Sequence, residues 1–129
     1  MPHTFSLLPG EYTLARMDPD AVVPDWAINA QGFVSITRTG DELSVVCHSD
    51  CVPDGVRADG DWRAIKLKGP FAFDQIGILS SCATPLANAG LGIFAISTFD
   101  TDYILVKTHH CSQAIDALRS AGHVMAWNE

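Results

Sequence analysis

The sequence predicts an α+β fold of the split βαβ kind, with helices packed on one face of a mainly antiparallel sheet. Three observations lead there. From Trp62 onward the residue patterns run strand, helix, strand, strand, helix, strand. Two apolar runs, Leu91 to Ser97 and Tyr103 to Lys107, flank the acidic turn Thr98-Phe99-Asp100-Thr101-Asp102 and read as central, well-buried strands. The first half passes through a similar order, but its helical stretches are stunted.

The opening residues suggest an extended arm and a turn at Pro9-Gly10, followed by a strand from Glu11 to Met17 that Asp18-Pro19-Asp20 ends. Pro24 suits a first helical turn, yet Asn29 and Gly32 leave room for a short helix only. Phe33 to Arg38 and Glu42 to Cys47 form a hairpin pattern around Thr39-Gly40-Asp41. His48 to Gly60, with Pro53, three Asp and two Gly, reads as a loop with room for one helical turn. In Asp61 to Lys68, Ile65 and Leu67 share one face while Lys66 and Lys68 share the other, the mark of a strand with one wet side.

Asp74 is a suitable N-cap for the next helix, and Ile76, Leu79, Ala83, Leu86 and Gly90 recur at helical spacing. Pro85 removes the bond to the Ser81 carbonyl, so a kink or break is expected there, with Gly90 as the stop. Ser112 can cap a last helix carrying Ala114, Ile115, Leu118 and Ala121 on its apolar stripe; Gly122 stops it and His123 to Trp127 closes the fold as a strand.

Composition narrows the function. The 129 residues are 47% hydrophobic, enough for a buried core. Eight scattered basic residues and a formal net charge of -7 argue against nucleic-acid and anionic-membrane partners, which need clustered Lys and Arg. Neither an export signal nor a spanning run is expected, so the chain reads as cytoplasmic and its four cysteines as reduced thiols, with Cys82 packing as a small hydrophobe.

Gly69-Pro70-x-x-Phe73-Asp74-x-x-Gly77-Ile78-Leu79, followed by Ile93 to Ser97 and Thr98-Phe99-Asp100-Thr101-Asp102-Tyr103-Ile104-Leu105-Val106, resembles the ACT domain. More narrowly, it is similar to the small bacterial ACT-domain proteins related to the ACT repeats of CASTOR-type arginine sensors. The likeness extends to Trp62-Arg63-Ala64, Ser35 to Arg38 and Glu42 to Cys47. It implies two tandem ferredoxin-like (βαββαβ) units, 1–60 and 61–129, the first degenerate. It also implies amino-acid binding that signals to a partner, often between paired domains. A homodimer, no cofactor and no catalysis are the matching expectations.

The chemistry of those residues agrees. The start of the Asp74 helix offers unpartnered N–H groups around Gln75, Ile76 and Gly77 to a carboxylate; Ile78 and Leu79 follow, and Ser80 adds a hydroxyl. The turn Thr98, Phe99, Asp100, Thr101, Asp102 offers carboxylates to an ammonium or a basic side chain. The two would clamp a small zwitterion. Each piece also has a plain structural role: Asp74 as a cap, Asp100 and Asp102 as turn formers, and Phe99 as packing, lid or interface.

Cys47-His48-x-Asp50-Cys51 and His109-His110-Cys111 hold enough nitrogen and sulfur for zinc, but their spacing is poor and no metal site is expected. No nucleophile elbow, phosphate loop or dinucleotide fingerprint occurs. The competing reading is an interaction module that dimerises through its sheets around a vestigial pocket.

Overall fold

A computed structural model describes residues 2–128, with side chains through residue 126, so the outermost residues of the two expected units, Met1 and Glu129, lie outside the described residues. The chain divides into two compact units. A central unit comprises Gly10–Trp62, and a split unit joins Met1–Pro9 to Arg63–Glu129. The fold is α+β throughout.

The central unit contains β2 (Tyr12–Met17), the short α1 (Asp25–Ile28), β3 (Ser35–Arg38), β4 (Leu43–His48), a 3-10 turn at Ser49–Cys51, and the first part of β5 (Ala58–Leu67). Its strands lie in the order β3-β4-β2-β5, and every pair is antiparallel. Ala15, Ala27, Val45 and Cys47 form its core. Burial raises the Cys47 thiol to about 11, helped by the charge of the neighbouring Cys51.

The split unit opens with β1 (Thr4–Leu7) and continues with the end of β5, α2 (Ile78–Asn88), β6 (Phe94–Ser97), β7 (Asp102–Lys107), a 3-10 turn at Thr108–His110, α3 (Cys111–Ser120) and β8 (Val124–Asn128). Its sheet runs β6-β7-β5-β1-β8. The expected extended arm is therefore a ladder strand: β1 is antiparallel to β5 and parallel to β8. Alternation explains the insertion, since Phe5 and Leu7 join Ile65, Leu67, Ile104 and Val106 in one core with Leu86 and Leu118 from the helices.

Three local expectations are corrected. The apolar run from Leu91 does not make a central strand, because β6 begins at Phe94 and lies at the sheet edge. Its first residues finish α2 instead: Gly90 adopts φ +79, and the Leu91 N–H donates to the Leu86 carbonyl at 3.0 Å. Ser112 does not cap α3, whose start carries no side-chain cap and grows directly out of the preceding 3-10 turn.

Nor is α2 broken at Pro85. The Ser81 carbonyl that Pro85 leaves without a helical donor accepts instead from Nε2 of buried His123 at 2.8 Å. The other ring nitrogen, Nδ1, accepts from the backbone N–H of His3 at 3.0 Å. The two bonds fix His123 as the Nε2–H tautomer. Cys82 is 1% exposed beside this pair, and burial raises its thiol above the usual range.

Candidate functional site

The loop from Lys68 to Gly77 carries the chain from β5 to α2, and the turn Thr98–Thr101 joins β6 to β7. The Phe71 N–H of the loop donates to the Asp100 carbonyl of the turn at 2.8 Å, and Thr101 Oγ1 donates to the Leu67 carbonyl at the end of β5 at 2.7 Å. Gly69 permits this approach. A Cβ there would stand 2.7 Å from the Asp100 carbonyl oxygen, closer than atoms can pack.

The helix does not open at Asp74. Gly77 has φ +77, outside the helical region, and serves as the N-cap residue, so α2 starts three residues later than its sequence pattern suggests. Asp74 lies in a turn, where the Gln75 Oε1 accepts from the Ala72 N–H at 2.6 Å. The N–H groups without intrahelical partners are consequently those of Gly77 to Ser80, not of Gln75 and Ile76. Ser80 Oγ donates back to the Gly77 carbonyl at 3.2 Å.

An open groove of about 610 Å³ runs between this helix start and the turn. It brings together Gln75, Gly77, Ile78, Leu79 and Ser80 from one side with Thr98, Phe99, Asp100, Thr101 and Asp102 from the other. Asp74 and Ile76 are not among its walls; Ile76 is 97% exposed and borders a smaller hollow beside His3. One chain supplies both sides of the groove.

The two carboxylates differ. Asp102 accepts from the Ser97 hydroxyl across the β6–β7 pair, while the Asp100 side chain has no hydrogen bond or ion pair among the described residues. Thr98 closes the turn, donating its N–H to the Thr101 carbonyl at 2.8 Å. At the mouth Phe99 meets Phe73 edge to face, with centroids 4.8 Å apart and both rings largely exposed. Phe71, Phe73 and Ser97 also line the groove; Phe73 and Ser97 stand within the quoted motifs, whereas Phe71 carries no sequence signal of its own.

The family model for the ACT domain matches residues 57–120, the stretch that carries both the start of α2 and the Thr98–Asp102 turn. The chain belongs to the ACT domain family. Within this ACT chain, residues 10–55 match a separate model described as an N-terminal domain. Over 59 residues it is 39% identical to the cytosolic arginine sensor for mTORC1 subunit 1 of Rattus norvegicus, a match covering 45% of this chain and 18% of the sensor. The chain thus spans under a fifth of the length of the curated relatives it matches.

The crystal structure of a protein from Agobacterium tumefaciens is 43% identical to this ACT chain, with a TM-score of 0.93 over 100% of this chain and 96% of that one. The regulatory subunit of aspartate kinase from Thermus flavus shares the fold at 12% identity, with a TM-score of 0.64 over 91% and 95% of the two chains.

The Cys and His clusters fall in different units. Cys47 and Cys51 belong to the central unit and Cys111 to the split unit, and among the described residues no three His, Cys, Asp or Glu side chains are grouped to hold a metal ion. His48 stacks on Tyr12 with centroids 4.4 Å apart, and His109 packs on His110 at 4.1 Å. No helix among the described residues is long and apolar enough to cross a membrane.

Proposed function

We propose that this ACT chain is a non-catalytic, cytoplasmic sensor that binds a free amino acid in the groove between the start of α2 and the Thr98–Asp102 turn. One observation carries the reading: a helix start with unpartnered N–H groups and a turn holding Asp100 and Asp102 line opposite sides of one groove of about 610 Å³, within the range of small-molecule sites. The N–H groups of Gly77 to Ser80 and the helix dipole suit the ligand's carboxylate. Asp100, with no partner of its own among the described residues, suits its ammonium or a basic side chain. The curated relatives support the ligand class, since the matching one from Rattus norvegicus is named as a cytosolic arginine sensor.

Calorimetry against every proteinogenic amino acid at millimolar concentration tests the reading. Saturable binding of one or a few is expected, with basic amino acids favoured by the acidic turn; heat from none of them sinks it.

A second reading, homodimerisation around this face, draws on Phe73, Ile76 and Phe99, which are 77%, 97% and 78% exposed near the groove mouth. Sedimentation equilibrium with and without ligand separates the two: a stable dimer together with null binding favours the interaction module.

A further inference from the structure

The split unit has a second concavity, on the sheet face opposite its helices. Phe5, Leu7, Ile65, Leu67, Ile104 and Val106 point into the helix-side core, so pleating turns Thr4, Ser6, Lys66 and Tyr103 the other way. These four, with Lys68 and Asp100, line a cavity of about 330 Å³ at the end of β5.

Its charge is unusual for this chain. The protein carries 15 acids against 8 bases, yet two of those bases converge here with a single carboxylate between them and the groove. Lys66 lies in β5 and Lys68 one residue past its end, and neither ammonium has a hydrogen bond or ion pair among the described residues. Lys66 is moreover half-buried. Two like charges lining one cavity, one of them partly withdrawn from water and the other exposed, favour an anion placed between them. Hydroxyl-bearing Thr4, Ser6 and Tyr103 line the same space. The volume lies near the lower end of the small-molecule range, which selects a compact occupant.

We propose that this cavity is a binding site for a small doubly charged oxyanion, of the size of phosphate or a short dicarboxylate, held by Lys66 and Lys68. The site is separate from the groove, but the two share a wall: Thr98, Asp100 and Thr101 line both. Asp100 therefore acts with opposite signs. Its charge opposes an anion beside the lysines, whereas in the groove reading it attracts a cationic group.

The test is calorimetry of the full chain with inorganic phosphate and with succinate, at constant ionic strength kept with sodium chloride. Saturable binding of at least one probe is expected, weakened about tenfold or more in the Lys66→Met/Lys68→Met variant, as befits two charge-assisted contacts. Asp100→Asn is expected to tighten the anion roughly two- to fivefold, the range of one partly exposed charge pair. No saturable heat with either probe, or equal affinity in the lysine variant, overturns the proposal. Should the lysine variant fail to fold, amide shifts of the wild-type chain decide: phosphate- or succinate-induced changes centred on Ser6, Lys66, Lys68 and Tyr103 support the site, and changes elsewhere overturn it. Amino-acid binding that Asp100→Asn weakens, without any anion binding, would leave the groove reading intact and remove this one.

Discussion

The central and split units repeat one backbone plan and differ in what their side chains leave unmatched. Both hairpin turns are closed by a threonine: the Thr39 N–H donates to the Glu42 carbonyl at 2.9 Å, and the Thr98 N–H to the Thr101 carbonyl at 2.8 Å. The hydroxyls of Thr39 and Thr98 accept in turn from the Glu42 and Thr101 N–H groups, at 3.2 and 3.3 Å. Around the central turn, Arg16 pairs with Glu42 at 3.3 Å and donates to the Asp41 carbonyl at 2.9 Å, while Arg38 donates to the carbonyls of Pro19 and Ala21. Among the described residues, Asp100 in the split unit has no such cation. Helix length differs as well, with 11 residues in α2 against 4 in α1. The duplicated plan supplies a hairpin turn in each unit, and the groove borders the one whose neighbouring helix is long and whose Asp100 side chain has no partner among the described residues.

The largest effect should come from the device that lets α2 keep a proline. His123→Ala leaves the Ser81 carbonyl and the His3 N–H without partners and opens a hole beside Cys82, so a loss of about 2–4 kcal/mol is expected in chemical denaturation. In a Pro85→Ala background the residue 85 N–H can reach the Ser81 carbonyl, and the cost of His123→Ala should shrink; an unchanged cost would show that the histidine acts through packing alone. Glycines give the next test. Gly69→Ala drives a Cβ into the Asp100 carbonyl and should cost about 1–3 kcal/mol. Gly40→Ala, in the matching hairpin turn with nothing within 4 Å, should stay within about 0.5 kcal/mol. Similar melting shifts for both would undo the contrast between the turns.

Most of the fold was legible because strand alternation and the order of elements are local signals. Asp61 to Lys68 announced its wet and dry faces, and the strand-helix order from Trp62 onward was visible as α+β. The errors fall where a long-range partner decides. Pro85 looks like a helix breaker until His123, far along the chain, supplies the missing donor. Thr4 to Leu7 looks like an arm because nothing local shows that it enters the sheet between β5 and β8. At the candidate site, the spacing from Asp74 mimicked a helix start, whereas the positive φ of Gly77 moved the start onward and left Asp74 and Ile76 outside the groove. The acidic turn was read in place, since its residues carry both the hairpin and the charge.

Smaller effects probe the charges. Asp100→Asn should change stability by no more than about 0.5 kcal/mol while weakening amino-acid binding about tenfold or more, the signature of a carboxylate held for a ligand. Glu42→Gln breaks the partly exposed pair with Arg16 and should cost up to about 1 kcal/mol, a difference that added salt erases. If Asp100→Asn instead lowers the melting temperature as Glu42→Gln does, the two turns are alike and the groove loses its cation-binding group.

The smallest effect lies at His3, whose ring packs edge-on to Phe71 and stacks on His123. Burial lowers its pKa below 6.5, and the neighbouring His123 lowers it further. The unfolded chain therefore takes up the proton first. Between the unfolded value near 6.5 and the lower folded value, unfolding binds protons, so stability falls as the pH drops through that window and is unaffected above it. Melting temperatures of the wild type and His3→Gln should run parallel above pH 7.5 and converge or cross below pH 6.5 as the wild type loses ground, in the range set by an ordinary histidine titration. Parallel curves down to pH 5 would mean that the ring moves into water when it is charged, and that the hollow it shares with Ile76 and Gly77 gives way without cost to the fold.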